Sequence, residues 1–479
     1  MKITANHITA KQGSFELRAI SFSLGDKENL VITGASGSGK TTLAKVLCGQ
    51  LFFFGELKAE YTPSADLLPK TVYVEQRYAV KNRSNTMEGY YQQRYNSTDN
   101  ENSYTVLEEL KNVSDNEKRI DFLLNELSAA TIKNKYLLQL SSGEHKRFQI
   151  IKALLESAQL LVLDEPFVGL DMLSRIKLNE ILTEITNKGI KLIVIAASEQ
   201  HFPDCTTHVL ELVGGKQKSF ERKENRVKTP DVLQAFNFYG LPVQSSELKF
   251  VNAIWMKNVS VKYNDTLILD SINWKVKKGE RWLLKGRNGA GKSTLMSLIT
   301  ADNPQAYANE IYLFDKRRGS GESIWEIKKN IGYVSSELVV LFDRTISCFD
   351  AVATGYFDSM YLHKKLSDEQ IRHIMDWLAA LNLTNLAQKR LAEVSSGMRK
   401  LFLLIRTFIK NPPLLILDEP CQGLDEIQTE TFVNLVDNIC AQTDTTLVYI
   451  SHYANEVPTC ISHVLELEEG KQIMISSHE

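Results

Sequence analysis

Two glycine-rich segments of the chain have the residue types and spacing to bind phosphate, GASGSGKTT at 34–42 and GRNGAGKST at 286–294. In the pattern G-x-x-x-x-G-K-[ST], glycines let backbone N–H groups close around phosphate oxygens, the lysine meets the outer phosphates, and the hydroxyl ligates Mg²⁺. The predicted binding residues are Gly34, Ala35, Ser36, Gly37, Ser38, Gly39, Lys40, Thr41, Thr42, Gly286, Arg287, Asn288, Gly289, Ala290, Gly291, Lys292, Ser293 and Thr294.

An apolar run that ends in Asp-Glu also occurs in each half of the chain. An aspartate at the end of a buried strand can face the phosphates, so Asp164 and Asp418 are predicted to hold Mg²⁺ beside the hydroxyls of Thr41 and Ser293. The glutamate that follows can polarise an attacking water as a general base. The predicted catalytic bases are Glu165 and Glu419.

A third motif, Ser-Ser-Gly, precedes each Asp-Glu pair by about 20 residues. Serine hydroxyls and glycine N–H groups at a helix N-terminus form an anion site. The tripeptide alone is common in turns. The evidence for an anion site is therefore that the tripeptide recurs at the equivalent place in both halves. The predicted residues are Ser141, Ser142, Gly143, Ser395, Ser396 and Gly397.

The three motifs recur in the same order, with roughly 250 residues between the copies. A repeat this long indicates two complete domains. We place the first domain at 1–216, a polar linker with two prolines at 217–249, and the second domain at 250–479.

Within each copy, short apolar runs alternate with segments of helical spacing, and the runs that end in Asp-Glu are apolar throughout. Such runs are typical of strands buried on both faces of a parallel sheet. The fold class is therefore α/β, with two tandem P-loop domains built on mainly parallel sheets. Residues 367–391 are predicted to form helices, because SDEQ at 367–370 fits a capping box.

The composition is ordinary for a globular protein, with 479 residues, 43% hydrophobic residues, 24% charged residues and a net charge of −2. No stretch approaches the length of a membrane span, and the N-terminus lacks the apolar region of a signal peptide. Near-neutral charge gives no reason to expect nucleic acid as a partner. The six cysteines are scattered, which favours a reduced cytoplasmic location and gives no sign of a metal centre with cysteine ligands.

These motifs resemble the ATP-binding cassette (ABC) family: Walker A, a signature close to LSGGQ, Walker B with its glutamate, and the D-loop GLD stand in order in both halves. The resemblance implies ABC-type domains with a β-subdomain and a helical insert, and Mg²⁺-dependent hydrolysis of ATP. It also implies head-to-tail pairing of the two cassettes. Lys292 and Glu419 would then work with the signature of the first half, and Lys40 and Glu165 with that of the second.

The same resemblance assigns residues that contact the base and sense the metal. Tyr263 matches the aromatic residue on which the family stacks adenine. In the first half the residue aligned with Tyr263 is Lys11, and Phe15 is the candidate aromatic residue to replace it. Gln76 matches a glutamine that senses Mg²⁺ and couples to a partner, whereas the second half has Ser336, followed by Glu337.

The last assigned residue is the histidine that contacts the γ-phosphate. His452 matches it, Ala197 takes its place in the first half, and His201 lies four residues further along. We therefore expect two composite sites of unequal activity, with Glu419 and His452 in the faster one and Glu165 in the slower one.

The function expected is that of an ATPase that energises, or is related to, a membrane transporter, through a separate integral membrane subunit at the inner face of the cell membrane. The segment at 313–338 resembles a tandem-cassette subfamily associated with molybdate transport. Two alternatives remain. One is a translation or repair ATPase: the short linker of mixed charge disfavours a role in translation, and the absence of long coiled coils or zinc modules from the sequence disfavours a role in repair. The other is a tandem sugar-importer ATPase.

Overall fold

The computed structural model describes residues 1–13, 15–35, 37–60, 70–76, 104–137, 140, 142–226, 241–243, 246–263, 266–335, 342–343, 345–394 and 396–477. The chain divides into two compact units, Met1–Asp231 and Val232–Glu479.

Strands of the first unit form one sheet in the order β4-β1-β2-β9-β8-β3-β7-β6-β5. Its strands are β1 (Lys2–Gln12), β2 (Phe15–Leu24), β3 (Leu30–Thr33), β4 (Phe53–Glu60), β5 (Thr71–Val74), β6 (Leu160–Asp164), β7 (Lys191–Ile195), β8 (His208–Val213) and β9 (Lys216–Arg222). Its helices in the described residues are α1 (Lys40–Leu47), α2 (Val106–Lys111), α3 (Glu117–Glu126), α4 (Ser142–Leu155) and α5 (Met172–Asn187).

Strands of the second unit form two sheets, ordered β11-β10-β13-β14 and β15-β16-β17-β12-β18-β19. Its strands are β10 (Asn252–Tyr263), β11 (Thr266–Lys277), β12 (Arg281–Gly286), β13 (Glu310–Leu313), β14 (Lys316–Arg317), β15 (Ile331–Ser335), β16 (Leu414–Asp418), β17 (Thr446–Ile450), β18 (His463–Glu468) and β19 (Lys471–Ser477). Its helices in the described residues are α6 (Lys292–Ile299), α7 (Ile324–Lys329), α8 (Cys348–Ala353), α9 (Asp368–Ala380), α10 (Ser396–Phe408) and α11 (Glu426–Gln442).

The central strands are mostly apolar because each lies between two hydrophobic cores. In β16, Leu415 and Leu417 belong to one core, whereas Leu414 and Ile416 belong to the core on the opposite face. Successive side chains of a strand point to opposite faces, so a strand covered on both sides needs an apolar residue at every position. Strands β5, β6, β7 and β3 pair in parallel in the first unit, as do β15, β16, β17 and β12 in the second. The predicted α/β class is confirmed.

The predicted helical segment of the second unit begins at the expected residue. The Ser367 hydroxyl accepts a hydrogen bond from the backbone N–H of Gln370, and the Gln370 side chain accepts one from the backbone N–H of Ser367. This reciprocal pair is the capping box that the sequence indicates.

The ends of the region between the cassettes differ from the bounds that the sequence suggested. Strand β9 forms a hairpin with β8 and carries the first sheet to Arg222, past residue 216. Its alternating polar residues resemble a linker in sequence, because one face of this hairpin is solvated. On the other side, Leu241 is buried in a core of the second unit.

Candidate active sites

The two phosphate loops connect buried parallel strands to helices, β3 to α1 and β12 to α6. The glycine before each helix has a left-handed backbone, with φ of 103° at Gly39 and 99° at Gly291. A Cβ at Gly291 would lie 2.7 Å from Leu269 Cδ2 and 3.1 Å from the Ile268 carbonyl oxygen. Both the dihedral angle and the close packing therefore require glycine.

The lysine of each loop folds back over the loop that precedes it. Lys40 Nζ donates hydrogen bonds to the carbonyl oxygens of Gly34 and Ala35, at 2.6 and 3.0 Å. Lys292 bonds the two equivalent carbonyl groups at the same distances. Each ammonium group is thus fixed inside a loop of backbone donors, where it can neutralise phosphate charge.

Oxygen ligands suited to Mg²⁺ meet beside the first loop, and the tyrosine contact of this arrangement recurs in the second unit. The Thr41 hydroxyl donates to Asp164 Oδ2 at 3.2 Å, and the Tyr73 hydroxyl donates to the same oxygen at 2.6 Å. In the second unit, Tyr333 donates to Asp418 Oδ2 at 3.5 Å. A hydroxyl and a carboxylate are the hard oxygen ligands that Mg²⁺ prefers, so this donor set fits the metal.

Sequence reasoning missed the two tyrosines. Each is the third residue of its strand, in TVYV of β5 and in IGYV of β15. Because β5 pairs with β6 and β15 with β16, the tyrosine lies next to the strand that ends in the predicted metal ligand. Their recurrence at the same place in the repeat was a signal that could have found them.

The two predicted bases lie in the same unusual backbone conformation, with φ of 44° at Glu165 and 45° at Glu419. Each backbone N–H is bonded at 3.0 Å to the last residue of the neighbouring strand, Ile195 or Ile450. A left-handed conformation is costly for glutamate and is typical of functional positions.

The carboxylate of Glu419 has polar partners on both oxygens. Its Oε1 lies 3.2 Å from His452 Nε2, and its Oε2 accepts a hydrogen bond of 3.2 Å from Gln422. The same His452 nitrogen lies 3.5 Å from Lys292 Nζ. The base, the histidine and the loop lysine of the second unit therefore form one contiguous group.

The carboxylate of Glu165 is buried and has fewer polar partners than the carboxylate of Glu419. The backbone N–H of Ala197 donates to it, but its Oε2 is buried without a hydrogen-bond partner among the described residues. Burial raises the pKa of Glu165 to about 8, against the opposing charge of Lys40. The residue that replaces histidine here contributes only its backbone.

Comparison with known proteins adds to this geometry. The model of the ABC transporter family matches residues 17–168 and, a second time, residues 269–422. The chain belongs to the ABC transporter family.

Two relatives of this ABC chain match nearly its whole length. It is 32% identical to the ABC transporter ATP-binding protein ModF of Escherichia coli, over 95% of this chain and 93% of that protein. It is 31% identical to an uncharacterised ABC transporter ATP-binding protein of Schizosaccharomyces pombe, over 95% of each. A solved structure of ribosome-bound archaeal Pelota and ABCE1 aligns with 98% of this chain and 78% of that chain, at a TM-score of 0.61 and 16% identity, which is a likeness of fold alone.

Each signature motif of this ABC protein lies at the start of a helix. Ser142 begins α4 and Ser396 begins α10. A Cβ at Gly143 would lie 2.9 Å from Ser174 Oγ, and one at Gly397 would lie 2.1 Å from Gln428 Oε1. Each signature glycine therefore allows close packing against the first turn of α5 or α11. The other predicted serines, Ser36, Ser141 and Ser395, lie outside the described residues.

Gln76, the glutamine expected to sense the metal, follows β5 and is half-buried. The residue before it is tied to the signature helix, because Lys146 Nζ donates to the Glu75 carbonyl oxygen at 2.9 Å. Ser336 and Glu337, the candidates for this role in the second unit, lie outside the described residues.

The strand register changes which residue of the first unit corresponds to Tyr263, the residue expected to stack on adenine. Tyr263 ends β10 and pairs with Thr266 across the hairpin, and in the first unit Gln12 pairs with Phe15 in the same way. The counterpart of Tyr263 is therefore Gln12, and the expectation of Lys11 was wrong. The spacing of residues differs by one between the two copies, and the register of the hairpin strands shows this difference. The stand-in Phe15 lies against the phosphate loop: a Cβ at Gly39 would be 2.8 Å from its ring.

The histidine nearest in sequence to Ala197 has a different role. His201 is buried, and its Nε2 lies 2.6 Å from the Arg175 guanidinium on α5. Burial and this positive charge lower the pKa of His201 to about 4, so it stays neutral. It packs against α5 and does not replace His452.

Two features are absent from the ranges that the structure describes. Within those ranges, no helix is both long and apolar enough to cross a bilayer. Across the same part of the chain, no group of three or more His, Cys, Asp or Glu residues could hold a metal ion.

Proposed function

We propose that this chain binds Mg²⁺-ATP at both phosphate loops and hydrolyses it. The observation that carries the proposal is that each loop holds its lysine through the same two carbonyl bonds, at the same distances, beside a strand that ends in Asp-Glu. Bound Mg²⁺, held by Thr41 and Asp164 or by Ser293 and Asp418, would supply positive charge at the phosphates. The proposal includes the intramolecular pairing of cassettes that the resemblance implies.

In the proposed reaction, Glu419 takes a proton from the water that attacks the γ-phosphorus. The His452 side chain orients Glu419 and contacts the γ-phosphate, and Lys292 neutralises charge on the outer phosphate oxygens. Together they stabilise the charge that spreads over the transferred group. Glu165 would perform the same step in the first cassette without an imidazole beside it.

Nucleotide stoichiometry tests the proposal. Lys40→Ala and Lys292→Ala should each remove one bound ATP, because each deletes the lysine that would neutralise the outer phosphates at its site. Equilibrium dialysis with a slowly hydrolysed ATP analogue would count the sites. The proposal is wrong if the double variant still binds two nucleotides per chain.

We further propose that the ATPase serves a membrane transporter through a separate integral membrane subunit. Support comes from the 32% identity to ModF over nearly the full length of both proteins. That likeness also supports molybdate as the first solute to test. Affinity capture from native membranes, followed by sucrose-gradient fractionation, would identify the partner. Salt-resistant migration with ribosomal particles would instead favour a role in translation.

A further inference from the structure

A buried hydrogen bond joins two residues that flank His452 in the loop after β17. Ser451 directly follows the strand, and its hydroxyl donates to Glu456 Oε2 at 2.9 Å. The hydroxyl has one proton, and this carboxylate is its nearer acceptor, because the Tyr453 carbonyl oxygen lies at 3.5 Å. Ser451 is 5% exposed and Glu456 is 7% exposed, so the contact is shielded from water.

The backbone on either side of His452 is held by this arrangement. The backbone N–H of Tyr453 donates to the Ser451 hydroxyl oxygen at 3.1 Å, which closes a turn around His452. The bond to the carboxylate then ties that turn to the short helix Ala454–Glu456. The imidazole attached to this turn is the group whose Nε2 lies 3.2 Å from Glu419 Oε1.

The equivalent loop of the first unit folds in the same way without this bond. Counted from the strand ends, Ala196 takes the place of Ser451, and His201 takes the place of Glu456. Both loops form a 3₁₀ helix of 3 residues that ends at His201 or Glu456. In each, the last backbone N–H is bonded to the third residue before it, at 3.0 or 3.2 Å. The backbone of the loop therefore does not depend on the Ser451–Glu456 bond.

The bond occurs in the unit that has the imidazole. Burying a carboxylate is costly, so the second unit keeps a group that the backbone of its loop does not need. The loop with His452 has both Ser451 and Glu456, whereas the loop with Ala197 has neither at the equivalent positions. The pair is thus associated with the imidazole and not with the fold of the loop.

We propose that Ser451 and Glu456 are positioning residues that hold His452 against Glu419. This inference rests on the proposed hydrolysis of ATP at the second phosphate loop. With the bond in place, the imidazole keeps one orientation, in which its Nε2 reaches the base and the γ-phosphate. Without the bond, the turn is looser and only a fraction of the molecules has the geometry for reaction.

Loss of the bond should lower turnover without weakening the binding of ATP. All test proteins carry Glu165→Gln, so that the measured turnover belongs to the second site. In this background, Ser451→Ala should lower kcat about tenfold, the effect of losing one well-placed hydrogen bond. KM, and the ATP affinity from equilibrium dialysis, should stay within about twofold, because neither residue is proposed to bind the nucleotide.

A double-mutant cycle with His452→Ala separates positioning from a general effect on the fold. If Ser451 acts through the imidazole, Ser451→Ala should cause no further loss of turnover once His452 is alanine. A purely structural effect on the end of β17 would lower turnover by the same factor in both backgrounds. That equal loss would overturn the proposal, as would a loss of ATP affinity in place of kcat.

Two variants of Glu456 test the hydrogen bond itself. Glu456→Gln keeps an oxygen that can accept from the Ser451 hydroxyl, so it should retain most of the turnover. Glu456→Ala removes the acceptor, so its loss should match that of Ser451→Ala. Equal losses from the two variants of Glu456 would contradict a role for the hydrogen bond.

Thr300→Val is the matched control. It removes another hydrogen bond from a buried hydroxyl to a carboxylate, 2.6 Å to Asp302, at the opposite end of α6 from Lys292. Turnover should be unchanged. A loss as large as that of Ser451→Ala would mean that any such bond in this unit affects turnover, and would overturn the proposal.

The Glu165→Gln parent distinguishes failure of this inference from failure of the proposed function. A parent that neither binds nor hydrolyses ATP would refute the proposed function, and the positioning role with it. A parent that hydrolyses ATP, with Ser451→Ala at the same rate, would refute the positioning role alone.

Discussion

Replacing each catalytic base in turn would separate the two sites. Glu419→Gln should abolish most steady-state ATP turnover, whereas Glu165→Gln should change it by less than about twofold. Glu419 has His452 and Gln422 on its oxygens, while Glu165 has a backbone N–H and one buried oxygen with no partner among the described residues. The second site should therefore carry the activity of the unaltered protein.

The expected loss follows from these two environments. With a pKa of about 8, about a tenth of Glu165 is ionised at pH 7. Losing one positioned contact to the transferring group costs about 10²–10³ in rate, and the first site lacks the histidine. If the two effects multiply, the first site turns over about 10³–10⁴-fold more slowly. Glu419→Gln should thus lower turnover by at least a hundredfold.

The pH dependence of the residual rate gives a second readout. Because burial raises the pKa of Glu165, its base form is gained as pH rises through about 8. From pH 7 to pH 9 its ionised fraction grows from about 10% to about 90%. The Glu419→Gln protein should therefore gain about ninefold in turnover. Equal losses from the two variants, a larger loss from Glu165→Gln, or a flat profile would refute the reasoning.

Three further substitutions test individual contacts. Gln422→Ala removes one hydrogen bond from Glu419, so turnover should fall by up to about tenfold with ATP binding unchanged; a lost affinity instead would contradict a positioning role. Gly291→Ala places a Cβ 2.7 Å from Leu269 Cδ2 at a φ of 99°, and should destabilise the second unit by about 1–3 kcal/mol in denaturant unfolding. Ala197→His, made together with Glu419→Gln, should raise the residual steady-state turnover about tenfold or more. No gain would mean that the imidazole does not reach the phosphate.

Much of the fold and of the site chemistry could be predicted from sequence because the motifs are local. The glycines around Lys40 and Lys292 lie within a few residues of the lysine, and the apolar residues of each strand directly precede Asp164 or Asp418. Their repetition then indicates two domains. The polar hairpin strand β9 was missed, because a strand solvated on one face looks like a linker in sequence.

The sequence by itself determined which groups each cassette possesses, including the histidine of one and the alanine of the other. Only the tertiary structure decided what surrounds those groups. The carboxylate of Glu165 is buried, and that of Glu419 has a polar partner on each oxygen. These environments arise because residues of distant segments, among them Ala197 and His452, pack against the two carboxylates. Pairings and pKa values depend on neighbours that the folded chain brings together, and residue spacing along one segment does not contain them.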